Sequence, residues 1–246
     1  MHYKDHPHQM SKYLHHQKPG IAASVREVVF GLEDGMVSTM GAVTGIAVGS
    51  GQHFVVVLSG VVIISVEAIS MAVGSYLSNK SQQETEKRMV EEEREEIQKY
   101  PAHEKEEMHE LFVRDGWPDD LARHMTEETA GNEALMLKEM TYRELHVAPE
   151  HAQSPVKNAA LMWGAYVAGG IIPLMPYLLS TDLARMIPIS VSVTLAGLFL
   201  LGAFTTKFSL RSPWRAGLEM VLFAGVAALI GFVVGRTADA WIAGLR

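Results

Sequence analysis

The hydrophobic positions do not alternate or spread evenly along the chain; they gather into long runs separated by polar stretches. Five runs are long and apolar enough for helices of about 20 residues, the length that crosses a hydrocarbon core at 1.5 Å rise per residue. They are Val25 to Val48, Phe54 to Leu77, Ala159 to Leu179, Met186 to Phe204 and Ala216 to Val234. The second opens with FVVVLSGVVIISV, and the fourth, MIPISVSVTLAGLFLLGAF, carries no charge. A soluble fold would need far more chain to cover five such helices, so the pattern predicts a polytopic membrane protein.

Between the second and third runs the pattern changes to that of soluble helices. SQQETEKRMVEEEREEIQKY extends the second helix into water, and Pro101 breaks it. AHEKEEMHELFVRDG forms another helix, GWPDD marks a turn, and TAGNEALMLKEMTYRELHV forms a later helix. The expected class is therefore all-α, with five transmembrane helices and a helical insert between the second and third. The boundaries read from the pattern are a polar tail over 1–24, helices over 25–80, the insert over 81–156 and helices over 157–246.

Charge sharpens this division. Of the 28 acidic residues, 20 lie between Lys80 and Lys157, so the net charge of −7 belongs largely to the insert. No basic stripe exists to neutralise phosphates, which excludes nucleic acid as a partner. Lysine and arginine in the short connections set the orientation. Lys4, Lys12, Lys18 and Arg26 precede the first run, and Lys207, Arg211 and Arg215 join the fourth to the fifth. Both groups fall on the side of the insert, so the N-terminus and insert are expected in the cytoplasm and the C-terminus across the membrane. The chain has no cysteine, which removes disulfides, thiolate metal sites and thiol catalysis. The tail, with five histidines, lacks the apolar core of a signal peptide and reads as a polar segment.

Three features then carry chemistry. Gly41, Gly45 and Gly49 lie four apart, and Gly31 with Gly35 repeats the spacing, giving a face for close helix contact. Gly169, Gly170, Pro173 and Pro176 mark an expected kink or break in the third run. Ionisable groups inside a membrane helix are costly and mark function, and Asp34 and Glu67 are the two candidates. Met71 follows Glu67 by one turn, so a carboxylate and a thioether share one face. Carboxylates with sulfur suit a first-row divalent cation, because Mg²⁺ and Ca²⁺ have no use for methionine. Glu33 is expected to point outward, and Glu219 to reach the interface.

In the insert, Glu93 with Glu96, Glu104 with Glu107, and Met140 with Glu144 are spaced to present two ligands on one helix face. Facing carboxylate pairs are how helical bundles hold two metals. A di-iron oxidase would need repeated Glu-x-x-His pairs, and only Glu106 with His109 offers one.

These residues resemble the vacuolar iron transporter family. DGMVSTMGAVTGIA, Asp34 to Ala47, resembles its first-helix motif, and EAISMAVGSYLSNKSQQE, Glu67 to Glu84, its second. EREEI with the following proline, then MTYREL, then GGIIPLMPYLL continue the likeness in order, so that it spans Arg26 to Arg236. The resemblance implies a five-helix fold, a homodimer with the ion path between protomers, and exchange of Fe²⁺ for protons out of the cytosol. It implies that Asp34, Glu67 and Met71 line the path. It also implies that Glu93, Glu96, Glu104, Glu107, Met140 and Glu144 bind metal in the insert, with Met136 and Glu139 a rival pair for the last two. Ser75 and Asn79 depart from the second-helix motif without touching these ligands.

The expected function is thus a transporter and not an enzyme, with divalent metal ions, protons and the bilayer as partners and no prosthetic group. Fe²⁺ is the expected cargo, with Mn²⁺, Co²⁺, Ni²⁺ and Zn²⁺ as further candidates. The competing reading is a membrane-anchored metal sensor or ferroxidase that does not transport. The compact termini favour a bacterial cytoplasmic membrane over a vacuolar-type one.

Overall fold

The computed structural model describes residues 19–147, 154–208 and 211–243. Among these it is all helical, with no strand. The elements are α1 (Pro19–Ser50), α2 (His53–Lys99), α3 (Pro101–Arg114), α4 (Asp119–Ala130), α5 (Glu133–Arg143), α6 (Pro155–Leu179), α7 (Leu183–Thr205) and α8 (Pro213–Ala243), with a 3₁₀ turn at Thr206–Phe208. Most of the expected polar tail lies outside the described residues, although Pro19 already begins α1. The chain divides into two units, Met1–Leu77 with Ser154–Arg246, and Ser78–Gln153.

In the first unit α1 is the central helix, and its buried face runs Met36, Met40, Val43, Ala47, a 4-3-4 spacing. Met36 and Met40 pack with Leu198 of α7 and Ala224 of α8. Val43 and Ala47 pack with Val56 and Ile64 of α2 and Leu174 and Tyr177 of α6. The glycine spacing expected to make a contact face serves two neighbours. A Cβ on Gly31 would lie 2.8 Å from Cβ of Ala165, and one on Gly45 would lie 2.7 Å from the carbonyl oxygen of Gly231. Gly31 and Gly35 thus admit α6, and Gly41, Gly45 and Gly49 admit α8, because only hydrogen fits between the backbones.

The outward surfaces of this unit are apolar. Val61, Val62, Val66, Ile69 and Val73 of α2 and Leu222, Phe223, Val226, Leu229 and Val233 of α8 are exposed. Such contiguous apolar surface belongs against lipid or another chain. Among the described residues four helices are long and apolar enough to cross a membrane: α2, α6, α7 and α8. In α2 the apolar part is the expected run Phe54 to Leu77. The remaining expected span, in α1, does not qualify on composition, because it carries Arg26, Glu27, Glu33 and Asp34. Its enclosure by other helices explains why it can be more polar than they are.

Of the kink or break expected in α6, a break does not occur. The helix continues through Pro173 and Pro176 to Leu179. Helix α7 supports it locally, with the Ser190 hydroxyl donating to the carbonyl of Pro173 at 2.6 Å.

The second unit is a small helical bundle. Helix α2 runs on to Lys99, and Pro101 starts α3 at a position where its missing N–H costs nothing. Helix α4 starts just after Pro118, and Asn132 caps α5 by accepting from the N–H of Leu135 at 3.2 Å. Helix α5 is shorter than the sequence pattern predicts, ending at Arg143. The core consists of Ile97, Met108, Leu111, Phe112, Ala122, Met136 and Met140.

Candidate metal centre and membrane carboxylates

Three elements of the second unit bring glutamates together. Glu93 and Glu96 come from α2, Glu104 and Glu107 from α3, and Glu144 follows the end of α5. Glu93 is 3% exposed, Glu104 is equally buried, Glu107 and Glu144 are half-buried and Glu96 is exposed. Glu93 feels the charges of Glu144, Glu104 and Glu96, while Glu144 feels Glu107, Glu104 and Glu96. Five carboxylates expected from spacing alone therefore share one cluster.

Such a cluster is electrostatically frustrated without a cation. Burial, then the neighbouring Glu144 and Glu104, push the Glu93 carboxyl up to about 8. Burial and Glu107 raise Glu104 above the usual carboxylate range, and burial and Glu107 raise Glu144. Glu93 and Glu144 are close enough that charging both is costly. Oε1 of Glu93, Oε2 of Glu104 and Oε2 of Glu144 are buried with no hydrogen-bond partner. Buried oxygens are rarely left so, and a divalent cation satisfies both their charge and their lone pairs.

The placement of Glu144 depends on Arg143. Its Nε donates to Glu139 at 2.9 Å, its guanidinium pairs with Asp115 and lies 4.6 Å from the Phe112 ring centre. Glu139 is therefore engaged by Arg143, whereas Glu144 joins the carboxylate cluster. Met140 is fully buried in the core one turn before Glu144, and Met136 lies in the same core. The Glu106 and His109 pair points elsewhere: His109 Nε2 lies 3.2 Å from Asp119, and Glu106 is exposed.

In the first unit, Asp34 and Glu67 come within electrostatic reach of each other from α1 and α2. Tyr166 of α6 donates its hydroxyl hydrogen to Oε2 of Glu67, and its oxygen lies 2.6 Å from the Ser38 hydroxyl. Met71 lies half-buried one turn beyond Glu67. Asp34 also lines a groove of about 760 Å³ with Ser38, Gly41, Ala42, Gly45 and Gly231. Glu33 is half-buried, and Glu219 pairs with Arg211 at 2.5 Å.

Sequence reasoning missed two of these groups. Glu27 is buried and accepts from the Ser75 hydroxyl at 2.9 Å, with Arg26 3.2 Å away. The available signal was its spacing, since Asp34 follows it at i+7 and so lies on the same helix face. Tyr166 carries no signal of its own in sequence, because an aromatic residue in an apolar run reads as packing.

Apolar helices around a pair of carboxylates, with a separate acidic helical bundle, define a helical membrane protein equipped to handle cations. The chain belongs to the VIT family, whose model matches residues 25–236. It is 26% identical over 232 residues to vacuolar iron transporter 1 of Arabidopsis thaliana, covering 94% of this chain and 93% of that one. It is 28% identical over 223 residues to the vacuolar iron transporter of Plasmodium falciparum (isolate 3D7), covering 86% and 81%. Vacuolar iron transporter 1 of Eucalyptus grandis is 26% identical over 212 residues, covering 86% and 85%.

Proposed function

We propose that the protein exports Fe²⁺ from the cytosol in exchange for protons. The observation that carries this reading is the pair of carboxylates, Asp34 and Glu67, inside a unit whose outer surfaces are apolar. A carboxylate in low dielectric needs a companion, and a proton and a cation are the two on offer. Competition between them at one site couples their movements. Met71 adds a thioether that suits Fe²⁺, and Mn²⁺, Co²⁺, Ni²⁺ and Zn²⁺ fit the same ligand chemistry. Names of the relatives support iron as the cargo.

The second unit gathers metal on Glu93, Glu96, Glu104, Glu107 and Glu144, with Met140 as the sulfur ligand. Arg143 holds Glu139 away from this role, which favours Met140 and Glu144 over Met136 and Glu139. On this reading α1 is a fifth span, and the N-terminus and the insert face the cytosol. The relatives are named for vacuoles, which speaks for a vacuolar-type membrane and gives no support to a bacterial one.

Transport is separated from ferroxidase chemistry by adding Fe²⁺ to proteoliposomes holding an iron-sensitive dye. A transporter moves Fe²⁺ inward without consuming O₂. Stoichiometric O₂ uptake with no rise in lumenal iron establishes the oxidase instead.

The groove beside Asp34 is best closed by a second copy of the chain. Lipid tails offer nothing to the Asp34 carboxylate, whereas a dimer encloses it in a shared path between protomers. Because the chain has no cysteine, Ala42→Cys supplies a single reporter on the groove wall. In membranes this variant is expected to cross-link to a dimer with a short bis-maleimide. A cysteine placed at the exposed Leu222 of α8 is expected to remain monomeric, and the reverse pattern would remove the groove from the interface.

A further inference from the structure

We propose that His103 is a metal ligand that, with Glu104 and Glu107, forms a mixed nitrogen and oxygen site at the solvent edge of the glutamate cluster, favouring Zn²⁺, Co²⁺ and Ni²⁺ over Mn²⁺. This rests on the reading of that cluster as a metal centre. All three side chains come from the first two turns of α3, and His103 with Glu107 is an i, i+4 pair on one helix face. The Nδ1 atom of His103 lies 3.5 Å from Oε1 of Glu104 and 3.9 Å from Oε2 of Glu107. One ligand atom from each of the three can be chosen so that all lie within 4.8 Å of one another. Ligand atoms held about 2.0–2.1 Å from a tetrahedral Zn²⁺ stand roughly 3.3–3.5 Å apart, so only a small closure is needed. At these distances the imidazole makes no strong hydrogen bond to either carboxylate.

An independent observation bears on the same carboxylate. Glu104 is almost wholly buried, yet its Oε2 has no partner, and the buried Glu93 beside it also keeps Oε1 unpartnered. His103, with its side chain 76% exposed, stands at the opposite, solvent-facing end of the trio. An incoming ion therefore meets the imidazole first and the buried oxygens next. Imidazole nitrogen suits the later first-row ions, whereas Mn²⁺ gains least from exchanging oxygen for nitrogen. The remaining glutamates can serve every ion, so the effect of His103 is selective.

The test is metal binding by the full-length, metal-stripped protein in detergent, with Zn²⁺ and Mn²⁺ titrated separately into wild type, His103→Ala and Glu104→Gln. His103→Ala is expected to weaken Zn²⁺ about tenfold or more while changing Mn²⁺ less than about threefold, the contrast that a nitrogen ligand creates. Because the side chain is exposed, its removal leaves the packing of α3 intact, and circular dichroism checks the fold. Equal weakening of both ions, or no weakening of either, in His103→Ala overturns the assignment of His103. If Glu104→Gln still weakens both ions, the glutamate centre stands without the histidine. If Glu104→Gln leaves both unchanged, the centre itself is wrong and the histidine site falls with it.

Discussion

Replacing Asp34 by Asn is expected to stop Fe²⁺ movement, with the transport rate falling by about 100-fold or more, while metal binding by the second unit stays within about twofold of wild type. Asparagine keeps the size and a carbonyl oxygen but loses the charge on which, in the proposed exchange, proton and cation compete. Asp34 stands on the central helix, with Glu67 in electrostatic reach and the Ser38–Tyr166–Glu67 hydrogen bonds beside it. The substitution therefore removes the carboxylate proposed to exchange without removing the packing around it. Metal binding is read by titration of purified protein, and flux in proteoliposomes. Loss of both at once would mean that the variant fails to fold, and a normal flux would take Asp34 out of the path.

Glu93→Gln is expected to produce opposite effects on stability and binding. In the folded protein the Glu93 carboxyl is pushed up to about 8, chiefly by burial and by Glu144, from an ordinary value of 4.5. A carboxyl raised in this way supports the fold at acidic pH, where it is neutral in both states. That support is lost as pH rises from the ordinary carboxylate range through about 8. Metal-free wild type should therefore melt at a lower temperature at pH 8.5 than at pH 6. Glu93→Gln, which stays neutral, should stabilise the metal-free protein at pH 8.5 by about 1 kcal/mol or more. The same change removes a ligand and should weaken metal binding about tenfold to a hundredfold. Wild-type affinity should rise with pH over this interval, because the cation displaces a proton. A variant that is destabilised at pH 8.5, or that binds metal as tightly as wild type, would contradict the role given to Glu93.

Several parts of this arrangement were legible in sequence because they follow from periodicity or from a strong local signal. The continuation of α2 through EEEREEIQK, the break at Pro101 and the fresh start near Pro118 were of this kind. So were the glutamate pairs, since three- and four-residue spacing fixes which side chains share a face. Which helices then face one another is set by tertiary packing. Spacing put Met140 with Glu144 forward and kept Met136 with Glu139 as a rival pair, and the engagement of Glu139 by Arg143, which also holds Asp115, is visible only in three dimensions. The prolines of α6 suggested a kink or break, and the helix runs through both without breaking, with Ser190 of α7 bonded to the Pro173 carbonyl. Helix α1 shows a further limit: its charges and glycines lower its hydropathy, because a helix enclosed by others need not present an apolar surface. Tyr166 and His103 lay beyond reach for a related reason. Their significance comes from Glu67 and Ser38 in one case and from Glu104 and Glu107 in the other.

Coupling between metal and proton is tested most directly by recording lumenal Fe²⁺ and lumenal pH together in proteoliposomes whose outer face carries the second unit. With an acidic lumen and external Fe²⁺, wild type is expected to take up iron faster than without a gradient and to alkalinise the lumen as it does so. Iron entry at the same rate with and without the gradient, and with no lumenal pH change, would contradict proton exchange.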